Sequence, residues 1–227
     1  MNLNDIKYAT ASGTSELLPG EIGGASVRAI ALAKGDSFTE PQKESATVII
    51  VCSGGVIINS TLCDGRGLFA FAPDTRVEVN ALNDSLLLCV NYGSARSDSL
   101  PYFIRYNDAI RYKEDCKSEK TVNRMLLPEG LIPNLAIGSV ETSGPDAVAA
   151  HEHPFCDQLF FSFEENDMEV LIEDLSVSMN GNVLLHIPLG SSHGITVPSG
   201  GYAHYLWIDF VVDSRGVEYI KSAHKTI

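Results

Sequence analysis

The chain has 227 residues, 44% hydrophobic and 20% charged, which is the make-up of a globular protein with room for one large or two small domains. Sixteen Lys and Arg stand against 29 Asp and Glu, a net charge of -13. Such a surface repels phosphate backbones and anionic lipid, so generic nucleic-acid binding and membrane docking are excluded.

In chain order, the amino-terminal MNLNDIKYATASGTSELL lacks the basic start and apolar core of a signal peptide. Short runs rich in Val, Ile, Leu and Phe follow, separated by Gly, Pro, Asn and Asp about every ten residues, the texture of an all-β sandwich or barrel. They are VRAIAL (27–32), TVIIV (47–51), GVIIN (55–59), GLFAFA (67–72), RVEVN (76–80) and SLLLCVNY (85–92). The stretch 106–125 is charged and rich in long side chains; it reads as a partly helical bridge. The strand pattern resumes with LAIGSVE (135–141), DQLFFSF (157–163), MEVLIED (168–174), NVLLHIP (182–188) and YAHYLWIDFVV (202–212). No run reaches the roughly 18 apolar residues of a spanning helix. Five scattered cysteines (Cys52, Cys63, Cys89, Cys116, Cys156), with no C-x-x-C, predict a reduced, cytoplasmic protein without structural disulfides.

The two halves repeat. In the second, His151-x-His153 is followed after four residues by Gln158, and Pro188-x-Gly190-x-x-His193 comes 35 residues after His153. In the first, Pro41-x-Lys43 is followed by Thr47, and Pro73 lies 30 residues after Lys43. The five-residue difference falls in the hairpin 164–182, where an insertion costs least.

These spacings resemble the two motifs of the cupins, G-x5-H-x-H-x(3,4)-E-x6-G and G-x5-P-x-G-x2-H-x3-N, over nearly the whole chain. The resemblance implies two tandem double-stranded β-barrels of jelly-roll type, a bicupin: residues 1–105, a linker at 106–130, and a metal-binding barrel at 131–227. It also implies a homodimer and an amino-terminal arm that adds a strand to a neighbouring barrel. The second copy departs in having Gln158 for Glu, Val197 for the final Asn, and six residues rather than five after Gly144 and Gly181. The first copy has Pro41, Lys43, Thr47 and Glu78 at the ligand positions. An ammonium there repels a divalent cation, and a buried Lys43–Glu78 ion pair is the expected replacement.

An H-x-H pair on a strand puts both imidazoles on one face, and the turn after Pro188 can bring His193 to meet them. Three neutral imidazoles with one oxygen suit one divalent transition metal, iron, manganese, nickel or zinc. Gln158 is the preferred fourth ligand because it keeps LFFSF in register. Asp157, at the shorter spacing, is the alternative, or orients a ligand from behind. Tyr202 and His204 share a strand face; if it looks inward they are candidate acid–base groups, and otherwise His204 is a buried histidine with a backbone partner. His186 and Cys156 are weaker candidates for the pocket, and His224 is expected in solvent.

With no phosphate loop, nucleophile elbow or dinucleotide fingerprint, the expected function is metal-dependent chemistry on a small polar metabolite such as a sugar acid or keto acid. The resemblance admits isomerase, lyase, dioxygenase or hydrolase chemistry. A non-catalytic metal-assisted binding or sensing protein is the alternative, and a structural dimer with a vestigial metal a third.

Overall fold

The computed structural model describes residues 6–94, 98–223 and 225–226, and the chain divides into two compact units. The first unit is Ala11–Ala109 with Gly130–Pro133. The second is Ile110–Glu129 and Asn134–Ile227, with the amino-terminal residues through Thr10. Strand β1 (Tyr8–Thr10) therefore belongs to the second unit.

The first unit holds β2 (Ser15–Leu17), β3 (Ala25–Leu32), β4 (Ser37–Glu40), β5 (Ala46–Ser53), β6 (Gly55–Ile58), β7 (Thr61–Asp64), β8 (Gly67–Phe71), β9 (Val77–Ala81), β10 (Ser85–Tyr92) and β11 (Tyr102–Arg105). They form a six-stranded sheet, β11-β8-β5-β10-β3-β2, and a four-stranded sheet, β4-β9-β6-β7. The second unit continues with β12 (Ile110–Lys113), β13 (Val122–Ile132), β14 (Leu135–Ser143), β15 (Asp146–His151), β16 (Cys156–Ser162), β17 (Asp167–Ile172), β18 (Leu175–Asn180), β19 (Val183–Ile187), β20 (His193–Val197), β21 (Tyr202–Val211), helix α1 (Ser214–Ala223) and β22 (Lys225–Thr226). Its sheets run β1-β19-β16-β21-β14-β13-β12-β22 and β15-β20-β17-β18. Every run expected to be extended is a strand, so the all-β architecture is as the sequence predicts.

The strand sequences record their surroundings. In β9 the pattern VEVNA alternates buried and exposed, as for a strand with one wet face, whereas ATVIIVC in β5 is buried throughout. Inward side chains of the two sheets meet in each unit. In the first they include Ile30, Ile49, Ile58, Phe69 and Leu87; in the second, Phe160, Met168, Val170, Ile195 and Trp207. Each such side chain contributes about 1.5–3 kcal/mol when fully buried.

The linker expected to be partly helical at 106–130 is mostly extended. Only Tyr106–Asp108 is helical, a single 3-10 turn, and the rest forms β12 and most of β13 in the eight-stranded sheet. Charge density misled the reading: in IRYK only Tyr112 turns inward, where it is 3% exposed, and the charges fall on the wet side. The arms of the β17–β18 hairpin are six residues each against four in β6–β7, which is where the repeat placed its insertion. Helix α1 was not expected. His224 lies outside the described residues.

Candidate metal centre

Three imidazoles converge in the second unit. His151 ends β15 and pairs in register with His193, the first residue of β20, across a bulge after Val148. His153 lies just past the strand end, where a turn closes with Cys156 N–H donating to the His153 carbonyl at 3.2 Å. The H-x-H pair thus straddles a strand end rather than lying wholly within a strand. His193 is placed by Pro188-Leu189-Gly190-Ser191: Ser191 N–H donates to the Pro188 carbonyl at 2.9 Å, and Gly190 takes φ +74°, the left-handed position of a type II turn.

One nitrogen from each ring lies within 4.8 Å of the others. Ring centroids are 4.9 Å apart for His151–His153, 4.7 Å for His151–His193 and 5.3 Å for His153–His193. Nδ1 of His151 donates to the Ala149 carbonyl at 2.8 Å, and Nδ1 of His193 to the Ser191 carbonyl at 3.1 Å. Those bonds fix the tautomer that leaves each Nε2 with a lone pair for a ligand. Burial, helped by His193 and His151, pushes His153 down to about 3; burial and His151 push His193 down to about 4. Both rings are therefore neutral near pH 7, the form that binds metal.

The imidazoles line a cavity of about 30 Å³, room for an ion and one or two waters. Its wall includes Gln158, Phe160, Tyr205, Trp207 and Asp209. Gln158 is 3% exposed and donates through Nε2 to Asp209 Oδ1 at 2.7 Å. A carboxylate only accepts, so the amide nitrogen must face Asp209. That leaves Oε1 in the cavity, buried and without a hydrogen-bond partner. Glycine at 138 lets Trp207 form the wall, since a Cβ there would stand 2.2 Å from the indole; Trp207 Nε1 donates to the Tyr112 hydroxyl at 3.1 Å.

Of the other candidates only Cys156 lies beside the site, its Sγ within 4.8 Å of a His153 nitrogen and an Asp209 carboxylate oxygen. Asp157 points to the opposite face of β16 and bonds His186 Nε2 at 2.7 Å, so neither lines the cavity. Tyr202 and His204 do not line this cavity. On β21 the residues facing the cavity are Tyr205, Trp207 and Asp209, one position out of phase. Tyr202 donates instead to Glu141, and His204 pairs through Nδ1 with Glu165. Both faces of β21 are buried, so alternation alone does not choose the inward one. Cys156 is buried, and burial with Asp209 nearby pushes its thiol up to about 12, which keeps it protonated in the metal-free protein.

Three cavity groups were missed from sequence. Asp209 was read as part of an apolar run. Glu114 and Lys117 were assigned to a linker, yet both line the cavity and form an ion pair at 3.0 Å with side chains only 10% and 6% exposed. The short spacing of opposite charges in KEDCK was a signal that passed for a solvated surface. On α1, Tyr219 sets its ring edge against His153, centroids 5.6 Å apart.

The first unit resolves its equivalent positions differently. Lys43 does not meet Glu78, which is exposed and pairs with Arg76 at 3.0 Å. Its ammonium lies 2.7 Å from Oε1 of Glu40, off the hydrogen-bond axis, and donates to Asn91 Oδ1 at 2.8 Å. Glu40 is fully buried and also pairs with Arg28. Asn91 in turn donates to Thr47 Oγ1 at 2.9 Å.

No protein-family model and no curated protein matches the sequence. Solved structures do. An IolB-like protein from Salmonella typhimurium superposes with a TM-score of 0.73 at 16% identity, covering 90% of this chain and 92% of its own. The oxalate decarboxylase of Lactobacillus farciminis gives 0.70 at 11%, covering 94% and 86%. A cupin 2 conserved barrel domain protein from Leptotrichia buccalis gives 0.61 at 12%, covering 89% and 92%. The fold is that of the cupins. At these identities the likeness is one of fold alone, and function must be argued from the site. Among the described residues no helix is long and apolar enough to cross a membrane.

Proposed function

We propose that the second unit binds one divalent transition metal, of the iron, manganese, nickel or zinc group, through His151, His153, His193 and Gln158 Oε1, and acts with it on a small polar metabolite. The observation that carries this reading is the meeting of three imidazole nitrogens within 4.8 Å beside a buried amide oxygen that has no partner. An unpaired buried acceptor costs about 1–3 kcal/mol, and a cation at the centre of the imidazoles would offset that cost. Neutral nitrogen donors favour transition metals over Mg²⁺ and Ca²⁺, which take all-oxygen shells.

Such an ion, when bound, polarises a substrate oxygen and lowers the pKa of a coordinated water or hydroxyl. The chain's own groups do the rest. Asp209 fixes the Gln158 amide through its Nε2 and places a carboxylate one residue away from the donors. Phe160, Tyr205 and Trp207 form the aromatic part of the wall. Glu114 and Lys117 supply a carboxylate and an ammonium able to hold or pass protons at the cavity. These polar groups favour an enzyme over a passive binder. The reaction classes open to it are isomerase, lyase, dioxygenase and hydrolase.

Elemental analysis of untagged protein purified without chelator tests the reading. About one transition-metal equivalent per chain is expected, lost in His151→Ala and kept in Lys43→Ala. Metal that is absent, or indifferent to His151, refutes it.

A further inference from the structure

A second cavity lies wholly within the first unit. Its volume is about 470 Å³, inside the roughly 300–1,000 Å³ that small-molecule sites occupy. Both sheets contribute to its wall: Ile58 and Asn59 where β6 ends, Phe69 and Phe71 on β8, and Phe103 on the edge strand β11. Among the described lining residues are none of Pro41, Lys43, Thr47 and Glu78, the motif positions of this unit. The cavity is therefore not the counterpart of the metal centre.

Its wall is held in place by the chain itself. Asn59 and Ser60 take φ of +43° and +70°, the left-handed positions of a tight hairpin turn between β6 and β7. The Asn59 side chain ties that turn to β9: Oδ1 accepts from Glu78 N–H at 2.8 Å, and Nδ2 donates to the Arg76 carbonyl at 3.2 Å. Phe103 stacks on Phe69, centroids 4.3 Å apart and planes 22° from parallel; Phe69 and Phe71 lie 6° from parallel at 6.3 Å. The fold does not require these rings. Thr47 and Gln158 share a motif position and pair with Phe71 and Ile187; two residues earlier, Leu185 stands where Phe69 does. The second unit thus packs aliphatic side chains at strand positions where the first has rings.

Charge narrows the occupant. One residue in five of the chain is charged, yet no charged side chain is among the described residues that line this cavity. An ion entering it would give up hydration and gain no counter-charge. A flat ring, by contrast, extends a set of rings already close to parallel. We propose that the first unit carries a ligand site of its own, which takes one uncharged small molecule with a flat ring against Phe69, Phe71 and Phe103. The site needs no metal, and the proposal stands apart from the metal reading of the second unit.

The test is equilibrium dialysis of the full chain, with and without EDTA, against three probes. They are 2-naphthol, its anionic counterpart 2-naphthoate, and decahydro-2-naphthol, the same skeleton without flat rings. About one equivalent of 2-naphthol per chain is expected to bind, equally well in EDTA. The saturated alcohol binds about three- to tenfold more weakly, the worth of ring stacking, and 2-naphthoate about a hundredfold more weakly or worse. Ala72→Trp fills the cavity from the end of β8 and lowers 2-naphthol affinity by about tenfold or more. Phe103→Leu removes a ring and keeps an apolar side chain. It weakens 2-naphthol by about three- to tenfold and leaves decahydro-2-naphthol within about twofold. Phe103 is only partly buried on an edge strand, so this milder variant carries the test if Ala72→Trp fails to fold.

A loss in Phe103→Leu confined to the flat probe is the signature that a merely structural phenylalanine would not give. Wild-type protein that takes up no 2-naphthol, or takes up 2-naphthoate as readily, overturns the proposal. So does 2-naphthol binding that survives both variants unchanged. Binding abolished by EDTA overturns it as well, because the probe then depends on the metal of the second unit.

Discussion

The two units place a polar pair at the same point and complete it in different ways. In the first, Asn91 on β10 faces Thr47 on β5; in the second, Asp209 on β21 faces Gln158 on β16. Thr47 and Gln158 occupy the same position of the repeated motif, and each is hydrogen-bonded across the strand pair, at 2.9 and 2.7 Å. The first unit then brings its own cation: the Lys43 ammonium satisfies Asn91 Oδ1 and is balanced by buried Glu40. The second has imidazoles where the lysine would be and leaves Gln158 Oε1 unpaired. One framework, therefore, carries a cation fixed to the chain in one unit and three converging imidazoles in the other. Local side chains, not the sheet topology, decide which.

The sharpest way to break this comparison is to remove the first unit's counter-ion. Glu40→Ala leaves two cations facing each other beside a buried wall. It is expected to destabilise the first unit by about 2–3 kcal/mol, below the usual range for a broken buried pair because Arg28 and Lys43 keep some access to water. Urea denaturation measures it, and the metal content of the second unit is expected to stay the same. Acidification separates the units next. The folded pKa values of His153 and His193, about 3 and about 4, lie below the ordinary 6.5, so between those limits the unfolded chain binds protons that the folded chain refuses. Stability of metal-free protein therefore falls as pH drops below 6.5 and is flat with respect to these groups above it. The slope approaches about 1.4 kcal/mol per pH unit for each imidazole. Melting temperatures from pH 8 to 4 follow the effect, and His153→Gln removes part of the slope. A melting temperature that ignores pH across this window rules out imidazoles buried together.

A smaller effect tests the neutral fourth donor. Gln158→Glu adds a negative charge to the metal's shell but puts a second carboxylate against Asp209, where the two would share a proton. Paired with Asp209→Asn, it is expected to tighten metal binding by about tenfold, and alone by less. Competition with a chelating dye reads both. Smallest of all, Tyr202→Phe removes a hydrogen bond to Glu141 on the far side of β21. It is expected to cost about 1 kcal/mol or less and to leave metal content unchanged; metal loss in that variant would mean that β21 turns its other face to the cavity.

The strands and the three histidines were readable because their signals are local. Apolar runs between turn residues mark strands wherever they pack, and Pro188-x-Gly190 encodes a turn whose geometry follows from proline and glycine chemistry. What escaped depends on facts no short window contains. The phase of β21 is undetermined in a strand buried on both faces, so Tyr202 and His204 competed on equal terms with Tyr205 and Asp209. Asp157 and Gln158 were separable only once the direction of β16 was known. Glu114 and Lys117 looked like surface charges because nothing in their stretch of sequence says that they share a cavity with His153, Gln158 and Trp207.

Strand β1 has a consequence for how the protein is made. Tyr8 pairs with Leu185 and Thr10 with Val183, so a segment made before the whole first unit is an edge strand of a sheet whose remaining members are made after it. Residues 11–109 can collapse around their own core while synthesis continues. Strand β1 must wait for its partner until β19 emerges. The histidine-bearing unit is thus assembled from segments on either side of the first unit, and its edge cannot close before β19 exists.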